Sequence, residues 1–176
     1  IEKYKKRFKT DSADPVTRFS DLLYGHMCYQ IFGLIRREEL MKTPLMGGYS
    51  NGDGILLARL ALVGPFEEIQ ENLFYSRRHM EQSTEMVYDF QAWSTWFNSS
   101  LQDKMTFPWW KIHYEFLRSI NQTKLTLIQR YGCYKRLYWK TLIDRQHLID
   151  DVRYQLNRYP GKPILVSLIR MLIDLW

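Results

Sequence analysis

The residue best suited to chemistry in this chain is Asp53, held between two glycines at the head of an apolar run, Asn51-Gly-Asp-Gly-Ile-Leu-Leu-Ala-Arg-Leu-Ala-Leu-Val-Gly64. The run reads as a helix packed through Ile55, Leu56, Leu60 and Val63, and Gly64-Pro65 is a helix stop. Asp53 then lies at or just before the helix N-terminus, where the dipole favours its anionic form. Two uses fit a carboxylate there: it caps the free backbone N–H groups, or it takes a proton from a bound hydroxyl. His26, Arg36 and the run Arg77-Arg78-His79 are the other groups whose types suit a polar site.

These groups need elements to hold them. The alternation and turn-former boundaries predict strands over 29–35, 66–70 and 72–77. A short helix is expected over 38–41, and helical spacing of Phe19, Leu22, Leu23 and His26 predicts another over 17–27. Residues 43–52 are rich in Gly, Pro and Ser, and they read as a loop leading to Asp53, either a plain connector or a lid. Beyond residue 85 the pattern turns helical, with helices expected over 106–120, 125–139 and 142–159 and a last apolar one after Pro160-Gly-Lys-Pro163. Trp93, Trp96 and Phe97 sit at helical spacing, which suits core packing or a platform on which a sugar face stacks.

The order of these pieces resembles the C-terminal half of family-two glycosyltransferases of the GT-A fold. The resemblance rests on Gly33 with Arg36-Arg37, on Asp53 followed by Leu57-Ala-Arg-Leu-Ala-Leu-Val-Gly64, and on Arg77-Arg78-His79. It covers roughly residues 15 to 85. It implies an α/β fold: the C-terminal part of a GT-A nucleotide-diphospho-sugar transferase, with a small sheet and a helical C-terminal half. Residues 1–85 would be the acceptor-side part and 86–176 a helical aromatic and basic extension. The implied reaction is inverting transfer of a sugar from a nucleotide-diphosphate donor to the hydroxyl of a glycan or lipid-linked acceptor. In that reaction Asp53 is the general base. His79 completes a Mn²⁺ or Mg²⁺ site, Arg36, Arg77 and Arg78 contact substrate, and His26 lines the acceptor cleft. One position departs from the family, since the acid that often precedes the base is Gly52 here.

Bulk properties bound the alternatives. With 176 residues, 45% hydrophobic and 15% aromatic, the chain has the size and composition of one ordinary globular domain. The net charge of +6 admits anionic partners without choosing among them. Cys28 and Cys133 form no metal-ligand spacing, and free thiols in a reducing compartment are expected. The first ten residues have no apolar core of a secretory signal. No run reaches the ~18 apolar residues of a membrane span, the nearest being 163–176, which carries Arg170 and Asp174. The setting this implies is cytoplasmic, with peripheral contact on the inner face of the membrane. No Walker or Rossmann loop, zinc spacing, Gly-x-Ser-x-Gly elbow or Asp-x-Asp occurs. The chain begins at Ile1, so a fragment is expected, with the nucleotide-binding half and its Asp-x-Asp upstream.

A different class is also legible. The segment 130–140 interleaves Arg130, Lys135, Arg136 and Lys140 with Tyr131, Tyr134, Tyr138 and Trp139. This pattern suits a non-catalytic helical module that docks on an acidic membrane surface or a protein partner. Nucleic acid is not the expected partner, because such a helix reads as a solvated face with a core stripe.

Overall fold

The computed structural model describes residues 7–24, 28–71, 73–75, 90–102 and 104–158. Its elements are α1 (Pro15–Leu23), a 3₁₀ turn (Tyr29–Phe32), α2 (Arg37–Leu40), α3 (Gly52–Val63), α4 (Phe90–Phe97), a second 3₁₀ turn (Ser99–Leu101), α5 (Pro108–Gln122), α6 (Leu127–Ile143) and α7 (Arg145–Arg158). Among the described residues there is no strand, so the expected α/β fold with a small sheet is corrected to a helical one. The helices expected after residue 85 are present as α5, α6 and α7, with bounds shifted by a few residues. The apolar stretch 163–176 lies outside the described residues.

The strand expectations fail for a physical reason. A strand needs a partner for its backbone groups, and no described residue of the three segments belongs to a ladder. Residues 29–32 coil into the 3₁₀ turn after Cys28, which takes the left-handed conformation at φ 54°. The alternation does not divide them into a buried and an exposed face of a sheet: Ile31 packs against the core, while Phe32 is 65% exposed and Leu34 fully so. Residues 66–70 are irregular; Phe66 N–H donates to Thr10 C=O at 2.8 Å, and Ile69 is exposed. Of the third segment only 73–75 are described, and they too are irregular.

Four helices close a ring: α1 packs on α3, α3 on α5, α5 on α6, and α6 back on α1, while α7 lies against α5 and α6. The core joins residues on both sides of position 85, including Phe19 and Leu22 of α1, Ile55 and Leu57 of α3, Phe116 and Ile120 of α5, and Cys133 and Leu137 of α6. Phe19 meets Phe116 edge to face, with centroids 6.2 Å apart. Helix α3 is apolar all round, and every residue from Gly54 to Leu62 is buried, as expected for a helix at the centre of a bundle. Among the described residues, no helix is long and apolar enough to cross a membrane. Both cysteines are buried and neither is in a disulfide among the described residues.

Local signals set the helix starts. Asp14 caps α1, accepting from the N–H of Val16 at 3.1 Å and of Thr17 at 3.0 Å. Thr126 and Gln129 form a reciprocal capping box at α6. Other ends are closed across the fold. The Arg18 guanidinium is buried and donates to Ala61 C=O in the last turn of α3 at 2.6 Å, and to Ser12 C=O at 2.7 Å. Helix α5 starts at Phe107 with no side-chain cap of its own. Asp151 of α7 supplies it, accepting from Trp109 N–H at 2.7 Å and Trp110 N–H at 3.2 Å. His147 stacks on the Trp109 ring at 4.2 Å.

The one charge in the buried span of α3 is Arg59. It pairs with Glu115 of α5, and both side chains are almost fully buried. Arg59 Nε donates to Ser119 Oγ at 2.8 Å. Lys111 Nζ reaches the other Glu115 oxygen at 2.7 Å, and Arg118 approaches it at 3.5 Å. Burial alone would raise the Glu115 carboxyl, but Lys111 and Arg59 hold it below its ordinary value.

Two outcomes follow from this packing. Glu115→Gln leaves Arg59 buried without a counter-charge and should lower the unfolding free energy by about 3–5 kcal/mol in urea titrations. Arg59→Met should cost less, because Glu115 keeps Lys111 and Arg118 as partners. The second outcome concerns Asp151, which is fully buried. One of its carboxyl oxygens has no partner among the described residues. Burial pushes its carboxyl from 3.8 up to about 7, against the opposing pull of the Trp110 and Trp109 N–H groups. The folded state therefore binds this proton more tightly than the unfolded chain. Its contribution is full below pH about 4 and is lost as pH rises through about 7. Asp151→Asn keeps an acceptor for the α5 cap and should gain stability relative to the parent between pH 5 and pH 8. An unchanged difference across that range would contradict the assignment.

Candidate functional site

Asp53 stands in the first turn of α3, half-buried, but it is not the cap. The N-cap position belongs to Asn51, in the left-handed conformation at φ 59° and without a side-chain cap bond. Asp53 Oδ1 accepts from the N–H of Gly54 at 2.8 Å. The Cys28 thiol also hydrogen-bonds to the Asp53 carboxylate. Burial, then the Asp53 charge and that hydrogen bond, push the thiol up to about 12. Cys28 is thus a protonated donor rather than a nucleophile. A carboxylate has more acceptor positions than these two bonds use.

Close approach requires glycine at position 52, where a Cβ would come within 2.7 Å of Gly47 C=O; at Gly54 it would meet only the tip of the Asn51 side chain, at 2.4 Å, which can turn aside. The loop 43–51 therefore folds tightly back over the head of α3. Its left-handed residues are Leu45 and Asn51, while no described glycine has a positive φ. Gly48 abuts the end of α4, where an added Cβ would lie 3.4 Å from Phe97 C=O.

Tyr49 ties this loop to the core. Its hydroxyl is hydrogen-bonded by Arg59, and burial, with Glu115 assisting, raises its pKa despite the opposing charges of Arg59 and Lys111. Lys111 Nζ lies over the Tyr49 ring, 5.1 Å from its centroid. The buried ion pair thus also anchors the segment that precedes Asp53. The two tryptophans of α4 divide. Trp93 is buried and packs on Trp109 at 5.8 Å. Trp96 is 56% exposed and lies edge to face with Phe97 at 4.7 Å.

Of the other residues singled out by sequence, Arg36 is exposed at the head of α2. His26, Arg77, Arg78 and His79 lie outside the described residues. Among the described residues no three His, Cys, Asp or Glu side chains converge to hold a metal ion, so no Mn²⁺ or Mg²⁺ site is built from them. Sequence reading missed Cys28, Tyr49 and the Arg59–Glu115 network. A signal for the last existed: an arginine inside an otherwise apolar helix demands a buried carboxylate elsewhere in the chain. No family model, curated protein or solved structure matches this chain.

The geometry of the α3 head separates capping from other roles. Gly52→Ala should lower the melting temperature, because the Gly47 carbonyl blocks the new methyl group. Asn51→Val should cost about 1–2 kcal/mol for a β-branched residue in the left-handed region, with Asn51→Gly tolerated. Asp53→Asn should leave melting nearly unchanged. A large loss for Asp53→Asn alone would return that residue to a structural role.

Proposed function

We propose that the chain is the acceptor-side part of an inverting nucleotide-sugar glycosyltransferase, with Asp53 as general base. The sequence support is the order Gly33, Arg36-Arg37, Asp53 with its Leu-x-x-Arg-Leu-Ala-type helix, and Arg77-Arg78-His79. The observation that carries it is the state of the Asp53 carboxylate. It sits at the positive end of a buried helix, half-exposed, bonded to one backbone N–H and one thiol, and not used as the cap.

In this reading the acceptor hydroxyl gives its proton to Asp53 as its oxygen attacks the anomeric carbon. The bond from that carbon to the diphosphate oxygen breaks with inversion, and the electron pair leaves on the diphosphate. The negative charge formed there requires cations, a role assigned to Arg77 and Arg78, with Arg36 and His26 as further substrate contacts. A divalent ion at His79 would supply additional charge stabilisation when bound. The donor is a nucleotide-diphosphate sugar and the acceptor a glycan or a lipid-linked glycan. The nucleotide-binding half of such an enzyme is required for turnover.

A second reading, a non-catalytic helical binding module, is favoured by the exposed apolar and aromatic face of α6. Turnover separates the two. In a parent enzyme carrying the donor-binding half, Asp53→Asn should reduce kcat by about 10²–10⁴-fold with little change in donor KM. Near-normal turnover by a folded Asp53→Asn enzyme would remove Asp53 from the reaction. Absence of any nucleotide-sugar turnover by the parent would favour the binding module.

A further inference from the structure

Helix α6 has an outward face that no other described helix covers. Cys133 and Leu137 turn into the core. On the other side Leu127 and Ile128 are each 84% exposed, and Tyr131, Tyr138, Trp139 and Ile143 are all more than half exposed. Helical spacing of 128, 131, 135 and 138, with Leu127, Trp139 and Ile143 beside them, places these on one side of the helix rather than scattered around it. At ~1.5 Å per residue, the helix carries it for about 25 Å. A contiguous apolar stripe on a folded surface marks a contact site.

The charges on this helix say what the contact is. Helix α6 contains no Asp or Glu. Lys135 lies within the stripe and Arg136 beside it, both exposed. Exposed Lys124 and Arg145 flank its two ends. Lys140 is neutralised locally by Asp144, which is buried at the end of the helix and is also approached by His113. We infer that the α6 face docks on an anionic membrane surface, lying in the interface plane with its apolar stripe at the headgroup boundary and its cations on the lipid phosphates and carboxylates.

Each element of the face suits that partner. Tyr and Trp place an apolar ring and a polar tip at the water–lipid boundary. Lys135 can extend its apolar stem through the stripe and keep its ammonium at headgroup level. A second copy of the chain is a poorer occupant, since pairing α6 with α6 sets Lys135 and Arg136 against their own counterparts with no carboxylate on either helix. Nucleic acid would leave Leu127, Ile128 and Ile143 without an apolar partner. The inference does not depend on the proposed reaction, because Asp53 and the loop 43–51 belong to other elements.

The test uses the 176-residue chain in co-sedimentation with vesicles of phosphatidylcholine alone and of phosphatidylcholine with phosphatidylserine. Binding is expected on the phosphatidylserine vesicles, at least ~10-fold tighter than on phosphatidylcholine and weakened by added salt. Ile128→Ser with Trp139→Ser should abolish it, and Lys135→Glu with Arg136→Glu should remove the preference for phosphatidylserine. All four positions are exposed, so circular dichroism and melting should be unchanged in both double variants. Equal binding to both vesicle types would overturn the inference. So would no vesicle binding with a monomer in sedimentation velocity, or a dimer that Ile128→Ser with Trp139→Ser dissociates and that does not bind vesicles. Failure of this test leaves the turnover test of Asp53 intact, and the reverse holds.

Discussion

The ion pair between Arg59 and Glu115 is the constraint around which the bundle is arranged. Helix α3 is apolar enough to be buried on every side, yet it carries an arginine in its interior. An unpaired guanidinium there would be prohibitive, so α5 must cross α3 where Glu115 reaches Arg59 and where Ser119 Oγ accepts the hydrogen bond of Arg59 Nε. That requirement sets the register between the two helices. It also draws in Lys111, which is only half-buried and brings the network to the surface. Such a pair adds little net stability over well-packed apolar side chains, but breaking it is costly. Its effect is to make one arrangement of α3 and α5 much better than its neighbours.

The same network reaches the head of α3. Tyr49 is hydrogen-bonded by Arg59 and lies under Lys111, so the loop 43–51 is fastened to the core before the chain enters the helix. Gly52 allows the loop to press against the helix start. Asp53 is thereby held on a rigid element, with Asn51 in the cap position and Cys28 across from it. Rigid placement of a carboxylate at a helix N-terminus is what a general base needs, and the core interaction and the candidate site are mechanically one unit.

Two helix ends in this fold are closed by distant residues. Arg18 of α1 serves the last turn of α3, and Asp151 of α7 serves the first turn of α5. Each ties an orphan backbone group to a helix it packs against directly, so contacts between helices also complete their ends. Helices α1 and α6 are capped locally, by Asp14 and by Thr126 with Gln129. The inner side of α6 fills the core and its outer side is exposed.

Helix periodicity was legible in the sequence. The Gly64-Pro65 stop and the 3.6-residue spacing of α5 and α6 are local properties, and they appear where the residues placed them, whereas the caps Asp14 and Thr126 emerged only with the structure. The apolar character of α3 was equally clear. What sequence alone could not decide was pairing. The segments 29–35 and 66–70 alternate like strands, but a strand exists only where a ladder of backbone bonds forms, and the single bond from Phe66 N–H to Thr10 C=O does not make one. The role of Asp53 turned on the left-handed backbone of Asn51, which moved the cap by two positions and left the carboxylate for other partners. Trp93 and Trp96 are alike in type and spacing; only the packing of α4 sent one inward and the other to the surface. The partner of Arg59 lies 56 residues away, a separation that only the crossing of α3 and α5 closes.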